Sequence, residues 1–355
     1  MNRVMATCLT LGSLILATAC GEPAPAPAPV PPPAPTVKLY VSDETEGNIV
    51  VIDPEAGTVI TKIAVGKRPR GLRFTPDGSQ LLVALSGSPI GGPGVDESKL
   101  PPPDRTADGI GIVNLADHTL LRVIKSGPDP ESFDLSPDGT MLYVSNEDAS
   151  EASMVDVATG EVKHRVKVGE EPEGVQTRPG GKEVFVTSEG DGVVVAVDTA
   201  AAKVVGRMKT GARPRGVIFT ADGTTAFVSN ENAGTITVID ADTHTVVGTV
   251  QVPKVEGTEI PPLPMGLVLS PDGKTLYVSL GRAAAIAVID VATRTVARTI
   301  TGVGTRPWGI AINPAGTKLY TANGRGANVS VVDIASGKVE KQIATGGSPW
   351  GVLVK

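Results

Sequence analysis

Residues 38–355 predict an all-β protein, a single seven-bladed β-propeller with four antiparallel strands per blade. The first observation is a repeated strand motif such as Tyr143-Val144-Ser145, whose seven copies are spaced by 42, 61, 42, 42, 50 and 43 residues. The second is a Pro-x-Gly motif that alternates with this strand. It begins at Pro69, Pro172, Pro214, Pro264, Pro307 and Pro349, and Pro130-Glu131-Ser132 is a variant. A repeat of this length has room for the four short strands of one blade.

The repeat that begins at Pro214 shows how each blade is built. Strands are predicted at 216–220, 226–230, 235–240 and 245–250, because these runs are rich in Val, Ile, Thr and Phe and turn residues separate them. Both faces of a blade pack on neighbouring blades, so its strands need not alternate strictly between apolar and polar residues. Few aromatic residues are then required, which agrees with a content of 3%.

The phase of the repeats predicts how the ring closes. The propeller begins with a second strand at 38–42 and ends with a first strand at 351–355. Together these ends complete one composite blade and leave no open sheet edge. Two repeats are longer than the rest, because residues 86–108 and 253–262 are insertions. Strand order places both insertions on the face that carries the Pro-x-Gly motifs and the loops between second and third strands, here called the top face.

Residues 1–19 read as a signal peptide, with Arg3 followed by an apolar stretch. Its end, Leu16-Ala17-Thr18-Ala19-Cys20, resembles a bacterial lipobox, in which the cysteine becomes the lipid-modified N-terminus. An ordinary cleaved signal is the alternative. Residues 20–37 contain Cys20 and a Pro/Ala-rich tether that predicts a polyproline-II spacer. We therefore expect membrane attachment through Cys20 in the cell envelope. Gly21 favours the outer membrane if the cell has one.

Composition excludes several classes of function. The chain has 355 residues, a net charge of -6 and few aromatic residues, which argues against a nucleic-acid partner. Both cysteines lie within the first twenty residues, and only three histidines are present. The aspartates that follow the third strands are interpreted as turn residues and not as metal ligands. No metal or cofactor is therefore predicted, and a closed propeller is expected to be a monomer.

The repeats resemble the YVTN family of β-propeller proteins. The pattern is more similar still to the propellers associated with pyrroloquinoline-quinone-dependent catabolism. The segments that carry this resemblance are Gly127-Pro128-Asp129-Pro130-Glu131-Ser132-Phe133, Tyr143-Val144-Ser145-Asn146-Glu147-Asp148, Glu171-Pro172-Glu173-Gly174, Arg213-Pro214-Arg215 and Arg306-Pro307-Trp308. The resemblance implies an extracytoplasmic propeller. A periplasmic quinoprotein dehydrogenase or a cytochrome would be the partner.

The top face carries the candidate binding residues, because loops on a rigid scaffold are common binding sites. Around the ring, the Pro-x-Gly motifs present two acidic copies between two copies with paired arginines, and then an apolar and aromatic arc. The predicted binding rim consists of Arg68, Arg70, Glu131, Glu147, Glu173, Glu189, Arg213, Arg215, Glu231, Met265, Arg306, Trp308 and Trp350. The alternative is a purely structural ring of ion pairs. We assign none of these residues a catalytic role at this stage.

The favoured hypothesis is a non-enzymatic, membrane-anchored propeller that binds a partner on its top face. One alternative is a lactonase-like hydrolase that uses the same face, with Glu147, Glu189, Arg70 and Arg215 as candidate groups. The absence of histidine from the top-face motifs argues against it. The other alternative is a structural protein of the cell envelope with no dedicated ligand.

Overall fold

The computed structural model describes residues 37–91 and 95–355. The predicted signal peptide, Cys20 and nearly all of the tether lie outside the described residues. The described residues form twenty-eight strands, arranged in seven antiparallel sheets of four, and two short 3₁₀ turns at Glu97–Lys99 and Glu147–Ala149. This confirms the predicted seven-bladed propeller. Within this part of the chain, no helix is long and apolar enough to cross a membrane.

Six blades are continuous in sequence, and we number them in chain order. Blade 1 contains β4 (Pro69–Phe74), β5 (Gln80–Leu85), β6 (Gly109–Asn114) and β7 (Thr119–Ile124). Blade 2 contains β8 (Pro130–Leu135), β9 (Met141–Asn146), β10 (Glu151–Asp156) and β11 (Val162–Lys167). Blade 3 contains β12 (Pro172–Thr177), β13 (Glu183–Ser188), β14 (Val193–Asp198) and β15 (Lys203–Lys209).

The remaining blades follow the same pattern. Blade 4 contains β16 (Pro214–Phe219), β17 (Thr225–Asn230), β18 (Thr235–Asp240) and β19 (Thr245–Gln251). Blade 5 contains β20 (Pro264–Leu269), β21 (Thr275–Leu280), β22 (Ala285–Asp290) and β23 (Thr295–Thr301). Blade 6 contains β24 (Pro307–Ile312), β25 (Lys318–Asn323), β26 (Asn328–Asp333) and β27 (Lys338–Ala344). Blade 7 contains β28 (Pro349–Val354), β1 (Leu39–Asp43), β2 (Asn48–Asp53) and β3 (Thr58–Ala64).

Blade 7 is the composite blade that the sequence predicts. Strand β28, from the C-terminal end, pairs antiparallel with β1. The pairing continues beyond the strands, where the backbone N–H groups of Lys38 and Lys355 each donate to the carbonyl of the other at 2.8 and 2.9 Å. The first strands of neighbouring blades contact one another all the way around the ring. The ring is thereby closed without an exposed edge at the junction.

The hydrophobic core consists of clusters between adjacent blades. In one cluster, Leu39 and Val41 of blade 7 pack against Tyr320 and Ala322 of blade 6. The aspartates that follow the third strands lie elsewhere and cap turns. Asp240, for example, accepts hydrogen bonds from the backbone N–H groups of Asp242 and Thr243 at 3.0 and 2.9 Å. Their interpretation as turn residues and not metal ligands agrees with this geometry.

The first strands approach one another closely at the centre of the ring, and the Pro-x-Gly glycines permit this approach. A Cβ on Gly266 would stand 2.6 Å from the carbonyl oxygen of Trp308, in the next blade. A second-strand hydroxyl joins the same two blades. Ser279 Oγ accepts from the N–H of Gly266 at 2.9 Å and donates to the carbonyl of Trp308 at 2.8 Å. The equivalent donors in four other blades are Ser42, Ser145, Thr187 and Ser229.

Candidate functional site

A cavity of about 740 Å³ opens where the Pro-x-Gly motifs and the loops between second and third strands meet. We call it the funnel. Eleven of the thirteen residues predicted for the binding rim line it: Arg68, Arg70, Glu131, Glu147, Glu173, Glu189, Arg213, Arg215, Arg306, Trp308 and Trp350. Several of the charged ones are buried and not exposed at a rim, with Arg70 only 1% exposed and Glu131 only 4%. The funnel thus has a charged interior and not a charged edge.

The backbone before each proline aims side chains at the funnel. In six of the seven motifs the residue before the proline has a positive φ, between 46° and 59°. These residues are Arg68, Asp129, Glu171, Arg213, Leu263 and Arg306. Five of these six residues line the funnel, all except Leu263, so the left-handed conformation is part of the turn that leads into its wall. In the seventh motif the positive φ falls on Gly347, two residues before Pro349.

One cluster of buried charges is centred on Arg215 in blade 4. Its Nη1 binds Glu189 and also Glu173, at 2.9 Å, and its Nε binds Glu231 at 2.9 Å. Glu189 is held on both oxygens, because its other oxygen accepts from Arg213 Nε at 2.7 Å. Burial opposes the charge of Arg215, but the three carboxylates together raise its pKa. Glu231, also predicted for the rim, is 7% exposed and does not line the funnel.

A second cluster is centred on Arg70 in blade 1. Its two terminal nitrogens bind Glu131 and Asp129, the latter at 2.6 Å. Burial works against the charge of Asp129, yet Arg70 and the hydroxyl of Ser86 hold the pKa of Asp129 below its ordinary value. Arg68 lies beside this cluster and donates from Nε to Glu44 at 2.8 Å. The alternation of acidic and basic motifs around the ring therefore does produce ion pairs between adjacent blades.

Glu147 differs from the other buried and partly buried carboxylates of the funnel; among the described residues Glu171 also lacks an ion pair, but Glu171 is exposed. The side chain of Glu147 lines the cavity, and no hydrogen bond or ion pair joins it to any described residue. Glu147 occupies the same loop position in blade 2 as Glu189 in blade 3, but the next motif offers it Glu173, where Glu189 meets Arg215. Burial, and then the charge of Glu173, raise the pKa of Glu147 to about 7. Burial and Glu173 also raise the pKa of Glu189 to about 8, against the pull of Arg215 and Arg213.

Three carboxylates, Asp129, Glu131 and Glu147, bring oxygens within 4.8 Å of one another, the spacing of metal ligands. Two of the three already bind Arg70, so its guanidinium supplies the positive charge that a metal ion would bring. A metal ion would have to displace this buried arginine. These residues therefore fit a guanidinium-centred cluster, and we assign no metal to them.

Another part of the funnel wall, in blades 6 and 7, is formed by tryptophan and arginine side chains. The rings of Trp308 and Trp350 stack with centroids 6.2 Å apart and planes 20° apart. The guanidinium of Arg306 lies 4.4 Å from the centroid of Trp308, and that of Arg215 lies at 5.2 Å. Gly324 makes room for the ring, because a Cβ there would stand 2.8 Å from Trp308. Met265, also predicted for the rim, is 3% exposed and does not line the funnel.

The insertion at 86–108 contributes another wall. Its described residues include Pro89, Ile90, Val95 and Leu100, which line the funnel with apolar surface. Its base is fixed by Asp104, whose N–H donates to the carbonyl of Gly87 at 2.9 Å and whose carboxylate binds Lys67 at 2.7 Å. Sequence reasoning did not include these residues in the site, because the position of an inserted loop over a funnel depends on contacts distant in sequence.

Arg325 and Asp129 are further funnel residues that the sequence-based selection missed. Arg325 lies in Gly324-Arg325-Gly326, one residue beyond the loop position that holds glutamate in blades 2, 3 and 4. That offset is the signal that could have identified it. Asp129 precedes a motif proline, like Arg68 and Arg213, and this equivalence pointed to it.

Comparison with known proteins identifies a family whose model matches this chain. Residues 172–355 match the model of a family described as lactonase, seven-bladed β-propeller. No curated protein sequence matches the chain. Among solved structures, the periplasmic gluconolactonase of Pseudomonas aeruginosa is similar, with a TM-score of 0.71 and 23% identity over 90% of this chain and 98% of that one.

Two other solved structures show the same fold. A candidate 6-phosphogluconolactonase of Bacteroides fragilis has a TM-score of 0.70 and 18% identity, over 91% of this chain and 99% of that one. Hydrazine synthase of Kuenenia stuttgartiensis has a TM-score of 0.64 and 20% identity, over 80% of this chain and 88% of that one. At these identities each likeness establishes the fold alone.

The favoured hypothesis of a non-enzymatic, partner-binding propeller is wrong, because the match is to a lactonase family. The alternative of a lactonase-like hydrolase agrees better with this match. The error has a physical origin. The sequence analysis counted the absence of histidine against a lactonase, whereas burial and a neighbouring carboxylate raise the pKa of Glu147 to about 7, close to that of an ordinary histidine.

Proposed function

The chain belongs to the lactonase seven-bladed β-propeller family, and from this membership we propose that its funnel hydrolyses a lactone, with Glu147 as the proton acceptor. The observation that carries the proposal is the state of Glu147. It faces the cavity, has no partner among the described residues and has a pKa raised to about 7. A general base works best when its pKa lies near the operating pH.

Geometry favours Glu147 over the other candidate groups of the sequence analysis. Both oxygens of Glu189 are held by arginines, so Glu189 is less free than Glu147 to take a proton from water. Arg70 and Arg215 are buried and bound to carboxylates. These three residues therefore support the cavity and set the charge around Glu147, and Glu147 is left to contact the reacting water.

The reaction follows from these groups. A water molecule adds to the lactone carbonyl carbon as Glu147 takes one of its protons. The resulting tetrahedral oxyanion collapses, the ring C–O bond breaks, and Glu147 returns the proton to the departing alkoxide. The product is a hydroxy acid whose carboxyl group releases its proton to solvent at neutral pH.

Arg68 is the group best placed to stabilise the oxyanion. It lines the funnel beside Glu147, and its charge acts on the pKa of Glu147. Its Nε is bound to Glu44, and Nη1 lies 3.4 Å from the carbonyls of Ser88 and Pro89. Nη2 makes no hydrogen bond to a described residue, and a cation at this place would stabilise negative charge that develops on the carbonyl oxygen.

The test compares wild type with Glu147→Gln on a panel of five- and six-membered lactones, with non-enzymatic hydrolysis subtracted at each pH. We expect Glu147→Gln to lower kcat by about 100-fold or more. The kcat/KM of wild type should rise with pH through about 7, where Glu147 of the free protein loses its proton. Glu161→Gln is the matched control, because Glu161 is exposed and pairs with Lys163 outside the funnel.

Three results would overturn the proposal. Glu147→Gln with kcat close to that of wild type would remove Glu147 from the reaction. Activity that disappears with a chelator and returns with a divalent cation would replace proton transfer by metal chemistry at Asp129, Glu131 and Glu147. A wild-type protein inactive on the whole panel would refute lactone hydrolysis itself.

Attachment through Cys20 and the envelope location are separate proposals, supported by the lipobox-like sequence. Metabolic labelling with a fatty acid tests them. Label on wild type but not on Cys20→Ala is expected, and equal labelling would refute the anchor. A periplasmic quinoprotein or cytochrome partner likewise stays a prediction, which capture from envelope extracts would test.

A further inference from the structure

The position of the Glu147 carboxylate depends on the backbone that carries it, because the side chain itself is bound to no described residue. Glu147 begins the short 3₁₀ turn Glu147–Ala149, between β9 and β10. Its N–H donates to the carbonyl of Asp129 at 3.0 Å, and Glu189 and Glu231 make the equivalent bond in their own blades. This bond is part of the repeat. It fixes the start of the turn and leaves the residue that follows to be held by other contacts.

The residue after Glu147 is held by the insertion at 86–108. Arg105 Nη2 binds the carboxylate of Asp148, so the insertion of blade 1 is joined to the turn of blade 2. In blades 3 and 4 the same position is occupied by Gly190 and Asn232, which have no charge to pair. Blade 2 therefore has a contact beside its glutamate that blades 3 and 4 lack.

Arg105 is itself fixed by a buried carboxylate. Its Nη1 lies 3.3 Å from Asp108 Oδ2 and 3.1 Å from Ser88 Oγ. Asp108 is only 3% exposed, and both of its oxygens accept backbone hydrogen bonds. The N–H of Gly87 donates to Oδ1 at 2.6 Å, and the N–H of Asp129 donates to Oδ2 at 3.2 Å. The planar guanidinium can thus bind two carboxylates on different nitrogens at once.

These contacts form a closed network around Glu147. On one side, Arg105 binds Asp148, the next residue along the chain. On the other side, Asp108 holds the N–H of Asp129, whose carbonyl accepts from Glu147. The two sides meet where Arg105 binds Asp108. A partly exposed ion pair such as Arg105 with Asp148 stabilises little by itself, but here its arginine is anchored on a buried, fully hydrogen-bonded carboxylate.

We propose that Arg105 is a positioning residue, which through Asp148 holds the turn of Glu147 so that the Glu147 carboxylate stays directed into the funnel. Arg105 does not line the funnel, so it acts through the turn and not on the substrate. The insertion then has a second role besides supplying an apolar wall. For the reaction, this proposal rests on the proposed function. The fixing of Glu147 can be tested without any substrate.

The kinetic test compares wild type with Arg105→Gln and Asp148→Asn on the same lactone panel. Each variant should lower kcat by about 10-fold, because a reacting group displaced by about 1 Å can cost about 100-fold in rate. KM should change by less than about threefold, as for a change that acts on the reaction and not on binding. The double variant should be within about twofold of the slower single variant, because both substitutions break the same contact. Arg105→Lys keeps the charge and should recover part of the loss.

A second readout requires no substrate. Burial is the largest cause of the raised pKa of Glu147, so Glu147→Gln should stabilise the wild-type protein at pH 8. If Arg105 holds the turn, this gain should shrink by roughly half or more in an Arg105→Gln background, because a released turn lets Glu147 reach solvent. Loss of charge alone predicts the opposite. Removing a cation and leaving Asp148 unpaired would raise the pKa of Glu147 further and enlarge the gain.

Lys99→Gln is the matched control, because Lys99 is an exposed cation of the same insertion and pairs with Asp96 within it. It should match wild type in both assays. Arg105→Gln with the kcat of wild type and an undiminished gain at pH 8 would overturn the positioning role and leave lactone hydrolysis by Glu147 standing. Losses in kcat that add fully in the double variant would also overturn it. If wild type hydrolysed no lactone, the proposed function would fail, and the gain at pH 8 would still decide whether Arg105 holds Glu147.

Discussion

Replacing Glu147 with glutamine should stabilise the protein at alkaline pH, because the wild-type carboxylate is held in an unfavourable place. Burial and Glu173 raise its pKa from 4.5 to about 7. Below about pH 4.5 the residue is protonated in folded and unfolded chains alike. Above that pH the unfolded chain releases the proton first, so wild type loses stability until the pH passes about 7.

The magnitude follows from the size of the shift. The interval from 4.5 to about 7, at about 1.36 kcal/mol per pH unit, sets an upper bound of about 3 kcal/mol. Glu147 is partly exposed and solvent reduces the effect, so we expect between about 1 and 3 kcal/mol. At pH 8 the free energy of unfolding of Glu147→Gln should exceed that of wild type by this amount.

Denaturation by urea at pH 4.5 and pH 8 measures the difference. The two proteins should be nearly equal at pH 4.5 and should diverge at pH 8. Glu189, whose pKa is also raised, is present in both proteins, so its own contribution cancels. Glu161→Gln should stay within about 0.5 kcal/mol of wild type at both pH values. If the stability difference between Glu147→Gln and wild type were the same at both pH values, the reasoning would be refuted. A carboxyl group whose pKa is raised on folding must make that difference grow with pH.

Two further predictions concern the close packing of the first strands. Gly266→Ala should cost at least about 2 kcal/mol of unfolding free energy, because its Cβ would stand 2.6 Å from a backbone oxygen. Gly216→Ala is the matched control, since its Cβ would meet nothing closer than 3.4 Å, and equal costs would contradict the explanation. Ser279→Ala should cost about 1 to 3 kcal/mol by leaving the Gly266 N–H and the Trp308 carbonyl unpaired. Thermal or urea unfolding measures both, and an unchanged midpoint for Ser279→Ala would show that the two blades do not need this hydroxyl.

The fold could be predicted because its information is local and repeated. Each blade carries its own strands and turns, so the period alone determined the number of blades. Strand limits were less accurate. The first strand of blade 4 was predicted from residue 216 but begins at Pro214, which pairs with Asn230 across an irregular register. Proline has no N–H to donate and is accepted at the first residue of a strand, so propensity alone places the start too late.

The funnel could be predicted only in part. The motif order correctly indicated that acidic and basic residues meet between adjacent blades. It did not distinguish Glu147 from Glu189, since both occupy the same position in their repeats. The difference depends on the following motif, which supplies Glu173 to one and Arg215 to the other. Burial and Glu173 raise the pKa of both residues, so what separates them is that arginines hold Glu189 and not Glu147. No sequence pattern reports burial and pairing at the centre of a ring.

The sequence analysis treated structure and binding as alternatives for the Pro-x-Gly motifs, and the geometry shows why they cannot be separated. In blade 6 the carbonyl of Trp308 accepts from Ser279 and lies against Gly266, while the indole of the same residue lines the funnel. The contact that joins two blades thus fixes the direction of a funnel side chain. It follows that Gly266→Ala should disturb the fluorescence of Trp308 as well as stability. Glycine in this motif therefore keeps the ring closed and the funnel in shape at once.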